Sequence, residues 1–354
     1  MRGLRYENRA AAGFLSLVLS LGCAQRASAP APPATVLEDV VFNRYSALSR
    51  TAEIARRTLT PLTVRRGEEV LAARGEALRE QPIDLTREKF TLYVPGGPPP
   101  ASGYGLLVFV APWEPATRPL SWQRPLERHG LIFVSAASSG NEVTVLDRRL
   151  PLALLACENV RARYPVDPAR VYIGGLSGGS RVAEITALAY PDVFRGALLN
   201  AGSDPIGGER GIYLPPADLL RRFQTIRIVF ATGEDDERNL RDDQITRASL
   251  KDWCVLDVEV KVARGLGHEP LDPPSLDRAL SALDKPSRVD AGELARCNAR
   301  IGQELAAKLT EAAAAIDRGD RQGARALLNA IDGRFGGLAA PDILELDARS
   351  AAAR

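Results

Sequence analysis

A chain of 354 residues with 45% hydrophobic and 25% charged residues can bury one large core with additions, or two modest domains. A net charge of +2, with basic residues scattered among Asp and Glu, removes the usual ground for expecting nucleic acid as a partner. Two histidines and four cysteines, with no metal-ligand spacing among them, leave no basis for a zinc site.

The chain opens with MRGLRYENRAAAG, carrying Arg2, Arg5 and Arg9, followed by the apolar run FLSLVLSLG, which is too short to span a bilayer. Residues 1–24 are therefore expected to be an export signal, with the mature protein in the cell envelope or secreted. Two cleavage sites compete. Cys23 follows Leu19-Ser20-Leu21-Gly22, which resembles a bacterial lipobox apart from Ser20, where leucine is usual; lipidation there would anchor the protein to a membrane. The alternative is ordinary cleavage after a small residue such as Ala24. Residues 25–37 are rich in Ala and Pro and read as a linker.

From Glu38 the spacing of Val41, Tyr45, Leu48, Ala52, Ala55 and Leu59 predicts a helical arm over 38–82, broken at Pro61. The period then changes. KFTLYVP (89–95) alternates, while GYGLLVFVAP (103–112) and GLIFVSA (130–136) are continuous apolar runs, so three strands are expected. Residues 146–164 form a helical pattern closed by Pro165. Further strands are GALLNAG (196–202), TIRIVFATG (225–233) and LDVEVKVA (256–263). Strands alternating with helices predict a mostly parallel sheet covered on both faces, over residues 83–285.

Between two of these strands lies VYIGGLSGGSRVAEITALAY (171–190). Val171, Tyr172 and Ile173 read as a buried strand, and Val182, Ile185 and Ala189 recur at helical spacing until Tyr190-Pro191. Ser177 stands in the turn between them, as Gly175-Leu176-Ser177-Gly178-Gly179, the G-x-S-x-G spacing of a nucleophile elbow. A serine held there at strained angles needs neighbours without side chains, and the following helix start aims free N–H groups at a developing negative charge.

A serine hydroxyl needs a base, and the base an orienting carboxylate. TIRIVFATG is followed by Glu234-Asp235-Asp236, and LDVEVKVA by Arg264-Gly265-Leu266-Gly267-His268. His268, in a glycine-flanked loop past a strand, is the expected base. Asp236 is the expected carboxylate, with Asp235 its competitor. The remaining histidine, His129, sits at a helix end, where imidazole commonly caps carbonyls or meets solvent.

Past Pro286, Leu305, Leu309, Ala312 and Ile316 form one stripe and Ala324, Leu328 and Ile331 another, separated by Arg318-Gly319-Asp320. Residues 286–354 are thus expected to form a helical hairpin that docks on the main domain or a partner. Among Cys157, Cys254 and Cys297, one disulfide is expected, Cys254 with Cys297, against the alternative that each is a buried free cysteine.

The stretch YPVDPARVYIGGLSGGSRVAEITALAYPDVFRGALLNAG resembles the elbow region of exported bacterial esterases of the α/β-hydrolase superfamily, most closely the branch around polyhydroxyalkanoate depolymerases and feruloyl esterases. In that branch the carboxylate follows a G-x-x-D turn, matched by Gly233 to Asp236, and the histidine a G-H turn, matched by Gly267-His268. The resemblance covers roughly residues 90–283 and implies an α/β-hydrolase fold, a triad of Ser177, His268 and Asp236, and a monomeric, cofactor-free enzyme acting on a small or polymeric ester. The family usually has His-Gly after the first core strand, where this chain has Ala111-Pro112. With no N–H on Pro112, the oxyanion donors expected here are Gly178 and Trp113. The same departure supports an alternative, a catalytically silent envelope binding protein. A serine peptidase of the same fold is a second, since ester versus peptide depends on pocket shape that loops such as 203–216 would build.

Overall fold

The computed structural model describes residues 32–208 and 211–352. The expected export signal, including Cys23, lies outside the described residues. Eight strands form one sheet: β1 (Thr35–Val40), β2 (Phe90–Val94), β3 (Tyr104–Val110), β4 (Leu131–Ala136), β5 (Val166–Leu176), β6 (Gly196–Asn200), β7 (Arg227–Phe230) and β8 (Val258–Val260). Their order is β1-β2-β4-β3-β5-β6-β7-β8. Only β2 runs against the others; every pair from β4 to β8 is parallel. This order with one reversed second strand is the α/β-hydrolase fold, and the expected fold class holds.

The helices are α1 (Thr51–Thr58), α2 (Pro61–Ala73), α3 (Gln123–Arg128), α4 (Leu150–Arg163), α5 (Gly178–Ala189), α6 (Ala217–Phe223), α7 (Glu237–Asp252), α8 (Pro273–Leu283), α9 (Ala291–Asp317), α10 (Arg321–Phe335) and α11 (Asp342–Ala352). All seven residues of β3 are buried, and they alternate between two cores. Leu106, Val108 and Val110 face the layer of α4 and α5, whereas Leu107 and Phe109 face α3 and α8. A strand covered on both faces must be apolar throughout, which is why β3 reads as an unbroken run rather than an alternation.

Two expectations are corrected. Residues 35–40 are neither linker nor helix but an edge strand, antiparallel to β2 with Thr35 opposite Val94. The free edge of β2 offers a row of backbone partners that a helix could not satisfy. TVLEDV supplies them while turning Glu38 and Asp39 to water. The helical stripe therefore starts only at Thr51; Val41 and Tyr45 are exposed, and the Tyr45 hydroxyl instead accepts from the Leu85 N–H at 3.0 Å. The C-terminal region has three helices rather than a hairpin of two. α11 packs on α2, where Arg65 donates to the Leu344 carbonyl at 2.9 Å and to Asp347 at 2.6 Å.

The C-terminal helices dock on the sheet domain. Phe335 packs edge-on against Trp253 at 5.8 Å, Gln224 exchanges hydrogen bonds with Asn298, and a disulfide joins Cys254 to Cys297. Cys157 is buried and free, and burial pushes its thiol up to about 12.

Candidate active site

Ser177 sits where β5 ends and α5 begins, with φ 55° and ψ −123°. That conformation is rare for a residue with a side chain and is held by its surroundings. The Ser177 N–H donates to the Asn200 carbonyl at 2.9 Å, tying the turn to β6. Gly175 and Gly179 face each other so closely that a Cβ on Gly175 would strike the Gly179 carbonyl. One on Gly179 would strike the Val110 carbonyl at the end of β3. Here the glycines are required by close approach, not by turn conformation.

The carboxylate and imidazole come from the next two strand ends. Asp236 follows β7 and caps α7, accepting from the Asn239 backbone N–H at 3.3 Å. His268 follows β8. The two loops are laced by backbone bonds: Glu234 N–H to the Ala263 carbonyl at 2.9 Å, and Asp235 N–H to the Leu266 carbonyl at 3.0 Å. A third brace comes from the second core, where the buried Trp122 indole donates to the Leu271 carbonyl at 2.7 Å.

The result is a continuous line. His268 Nδ1 lies 2.6 Å from Asp236 Oδ2, and His268 Nε2 lies 2.9 Å from Ser177 Oγ. A carboxylate can only accept, so it selects the tautomer with hydrogen on Nδ1, which leaves Nε2 free to take the serine proton. Asp236 is 8% exposed. Burial pushes its carboxyl up, but bonds from His268 and from the Asn239 side chain and backbone outweigh that and hold it below the usual value. Asp235 is exposed, and the structure brings Asp236 rather than Asp235 to the imidazole. His129 lies at the other end of the strands, ahead of β4, bonded to Asp284 at 2.9 Å and Asp277 at 3.2 Å.

Gly178 is the first residue of α5, so its N–H has no acceptor within the helix. Trp113 follows β3, and its side chain packs on the second core. The carbonyls on either side of it are taken: Asn141 N–H bonds to Pro112 at 3.1 Å and Ser138 N–H to Glu114 at 2.7 Å. The Trp113 N–H has no acceptor among the described residues. The Asn141 side chain rests against the Cα of Gly178.

A cleft of 540 Å³ opens beside the serine, between α7 and the loop after β6; Arg181, Asp204, Arg238 and Asp242 give it a charged lining. Arg181 is tied to Asp204 at 3.2 Å and Asp242 at 3.3 Å. Behind the loop, buried Asp243 accepts from Ser203 at 2.7 Å and Thr232 at 2.6 Å. Asn239 was missed in the sequence. Its signal was position: third in the helix that an Asp caps, it must lie beside that cap.

No family model matches the chain. A segment of 45 residues, 13% of the chain, is 47% identical to poly(3-hydroxyalkanoate) depolymerase C of Paucimonas lemoignei and spans 11% of that enzyme's length. Among solved structures the chain is similar to a ferulic acid esterase, at 14% identity and TM-score 0.43, over 71% of this chain and 96% of that one. It is similar to a thermophilic esterase from Thermogutta terrifontis, at 17% identity and TM-score 0.41, over 57% of this chain and 87% of that one. A Pyrococcus horikoshii acylaminoacyl peptidase gives 16% identity and TM-score 0.41, over 60% of this chain and 42% of that one. The fold assignment rests on the strand order, not on these likenesses.

Proposed function

We propose that the chain is a serine hydrolase that cleaves carboxylic esters through an acyl-serine intermediate. The observation that carries this reading is the hydrogen-bonded line from Asp236 through His268 to Ser177 at the head of α5. Ser177 Oγ bonds the ester carbon while its proton passes to His268 Nε2, and the carbonyl electron pair moves onto oxygen. Collapse of that oxyanion expels the alcohol oxygen, which takes the proton back from His268. Water then repeats the sequence on the acyl-serine and releases the acid. Asp236 keeps the imidazole in the required tautomer and balances its charge when protonated.

The oxyanion is received by the backbone N–H groups of Gly178 and Trp113, each without another acceptor among the described residues, and losing one such donor typically costs about 3 kcal/mol of transition-state stabilisation. The reading extends to export of the mature chain, because a disulfide such as Cys254–Cys297 persists where thiols are oxidised. Intact mass of the expressed protein tests that: residues 1–22 should be missing, and Cys23→Ser should free the protein from membranes.

The test of the chemistry is labelling by a fluorophosphonate probe together with hydrolysis of short acyl esters. Ser177→Ala should abolish labelling, and Ser177→Ala and His268→Ala should each reduce turnover by similar factors, about 10⁴ or more, because the two act as one unit. Asp236→Asn should cost less than either, and Asp235→Asn nothing. Wild-type protein that is neither labelled nor active on any ester of the panel would sink the reading.

A further inference from the structure

Asn239 touches both the carboxylate and the imidazole, yet the reaction above gives it no part. Its Nδ2 lies 2.8 Å from Asp236 Oδ2, 3.0 Å from Asp236 Oδ1 and 3.1 Å from His268 Nδ1. The orientation of the amide is fixed from both sides. Asp236 only accepts, so it must meet the NH2 group; Arg181 only donates, so at 3.5 Å it must meet Oδ1. Asn239 is 6% exposed, which leaves the amide little room to turn.

This arrangement has a chemical consequence. Asp236 holds a hydrogen on Nδ1, so the NH2 group of Asn239 presents a second donor where the ring is already a donor. Two effects then oppose the imidazolium. The bonds to Asp236 draw off part of the negative charge that would stabilise it, and the positive end of the amide stands beside the ring. We propose that Asn239 is a positioning residue that keeps His268 neutral, and so able to accept the serine proton, to a lower pH than Asp236 alone would allow. The proposal rests on the triad reading above.

The charged groups that line the same cleft as His268 are Arg181 from α5, Asp204 from the loop after β6, Asp236 at the cap of α7, and Arg238 and Asp242 from α7. Arg264 and Glu269 neighbour His268 on its own loop. All are still present when Asn239 is replaced by a neutral residue, and Arg181 keeps its bonds to Asp204 and Asp242.

The experiment uses the full chain with Asn239→Leu and Asn239→Ala, which both remove the amide and add no charge. With two histidines in the chain, isotope-labelled imidazole gives two signals to follow with pH, assigned by His129→Gln. The His268 midpoint and the acid limb of kcat/KM should rise together in both variants. Unmoved midpoints in both variants, whatever the loss of melting temperature, overturn the proposal, since the amide would then only brace the fold. The titration needs no turnover. A raised midpoint in a protein that hydrolyses nothing would therefore uphold the role of Asn239 and sink the hydrolase reading alone.

Discussion

At the scale of single residues, the glycines around Ser177 differ in what they tolerate. A methyl group on Gly179 would meet the Val110 carbonyl, which is backbone in a central strand and cannot give way. On Gly178 it would meet the end of the Asn141 side chain, which is exposed and can swing aside. Gly179→Ala should therefore yield insoluble or inactive protein, while Gly178→Ala should fold with a melting temperature close to wild type. Equal losses of soluble yield in the two variants would show that the elbow, rather than the strand contact, sets the demand. Ser177, Asp236 and His268 could be picked out in the sequence because each follows an apolar run directly, so strand ends and glycines mark them locally. Asn239 and Asn141 could not be picked out in the same way. Asn239 acts across a helix cap, and Asn141 meets Gly178 only because two loops far apart in sequence fold onto one strand end.

Among the elements, the apolar strands were legible because burial on both faces leaves a continuous hydrophobic signature. The edge strand β1 was not. TVLEDV carries one face to water, and its spacing runs on into a helical pattern, so period alone could not separate them. What decides between them is the unpaired edge of β2, a tertiary fact. The third C-terminal helix is hard to see in the sequence likewise, because the stripe of Ile343 and Leu346 is short and the helix is fixed by neighbours on α9, α10 and α2. α9 is fastened to the sheet domain by Cys254–Cys297, which closes a loop of 43 residues. By loop-closure entropy a bridge of that span contributes about 4 kcal/mol. Replacing both cysteines by Ser should lower the denaturant midpoint, with a somewhat steeper slope because the unfolded chain is no longer cross-linked. An unchanged midpoint would mean that the non-covalent contacts, Phe335 on Trp253 and Gln224 with Asn298 among them, hold the helices without the bridge.

On the scale of the whole molecule, the two helical ends complete each other. The Leu62 N–H, in the first turn of α2, donates to Asp332 of α10 at 3.1 Å, 270 residues away. Arg65 of α2 reaches α11 in the same way. Deleting α11 should therefore loosen α2 as well as its own neighbours, seen as faster amide exchange across residues 61–73. Unchanged exchange there would show α2 to be held by the sheet domain alone. The clasp also imposes an order on biosynthesis. A ribosome delivers the start of α2 long before the carboxylate that receives it, so a growing chain carries an unfinished helix until α10 emerges. Closing the loop between those two ends is a slow, non-local event, and a chain cut short by premature termination can never perform it. Such a product keeps an open end that proteases and chaperones can recognise, and the chain reaches its closed form only once α10 and α11 have emerged.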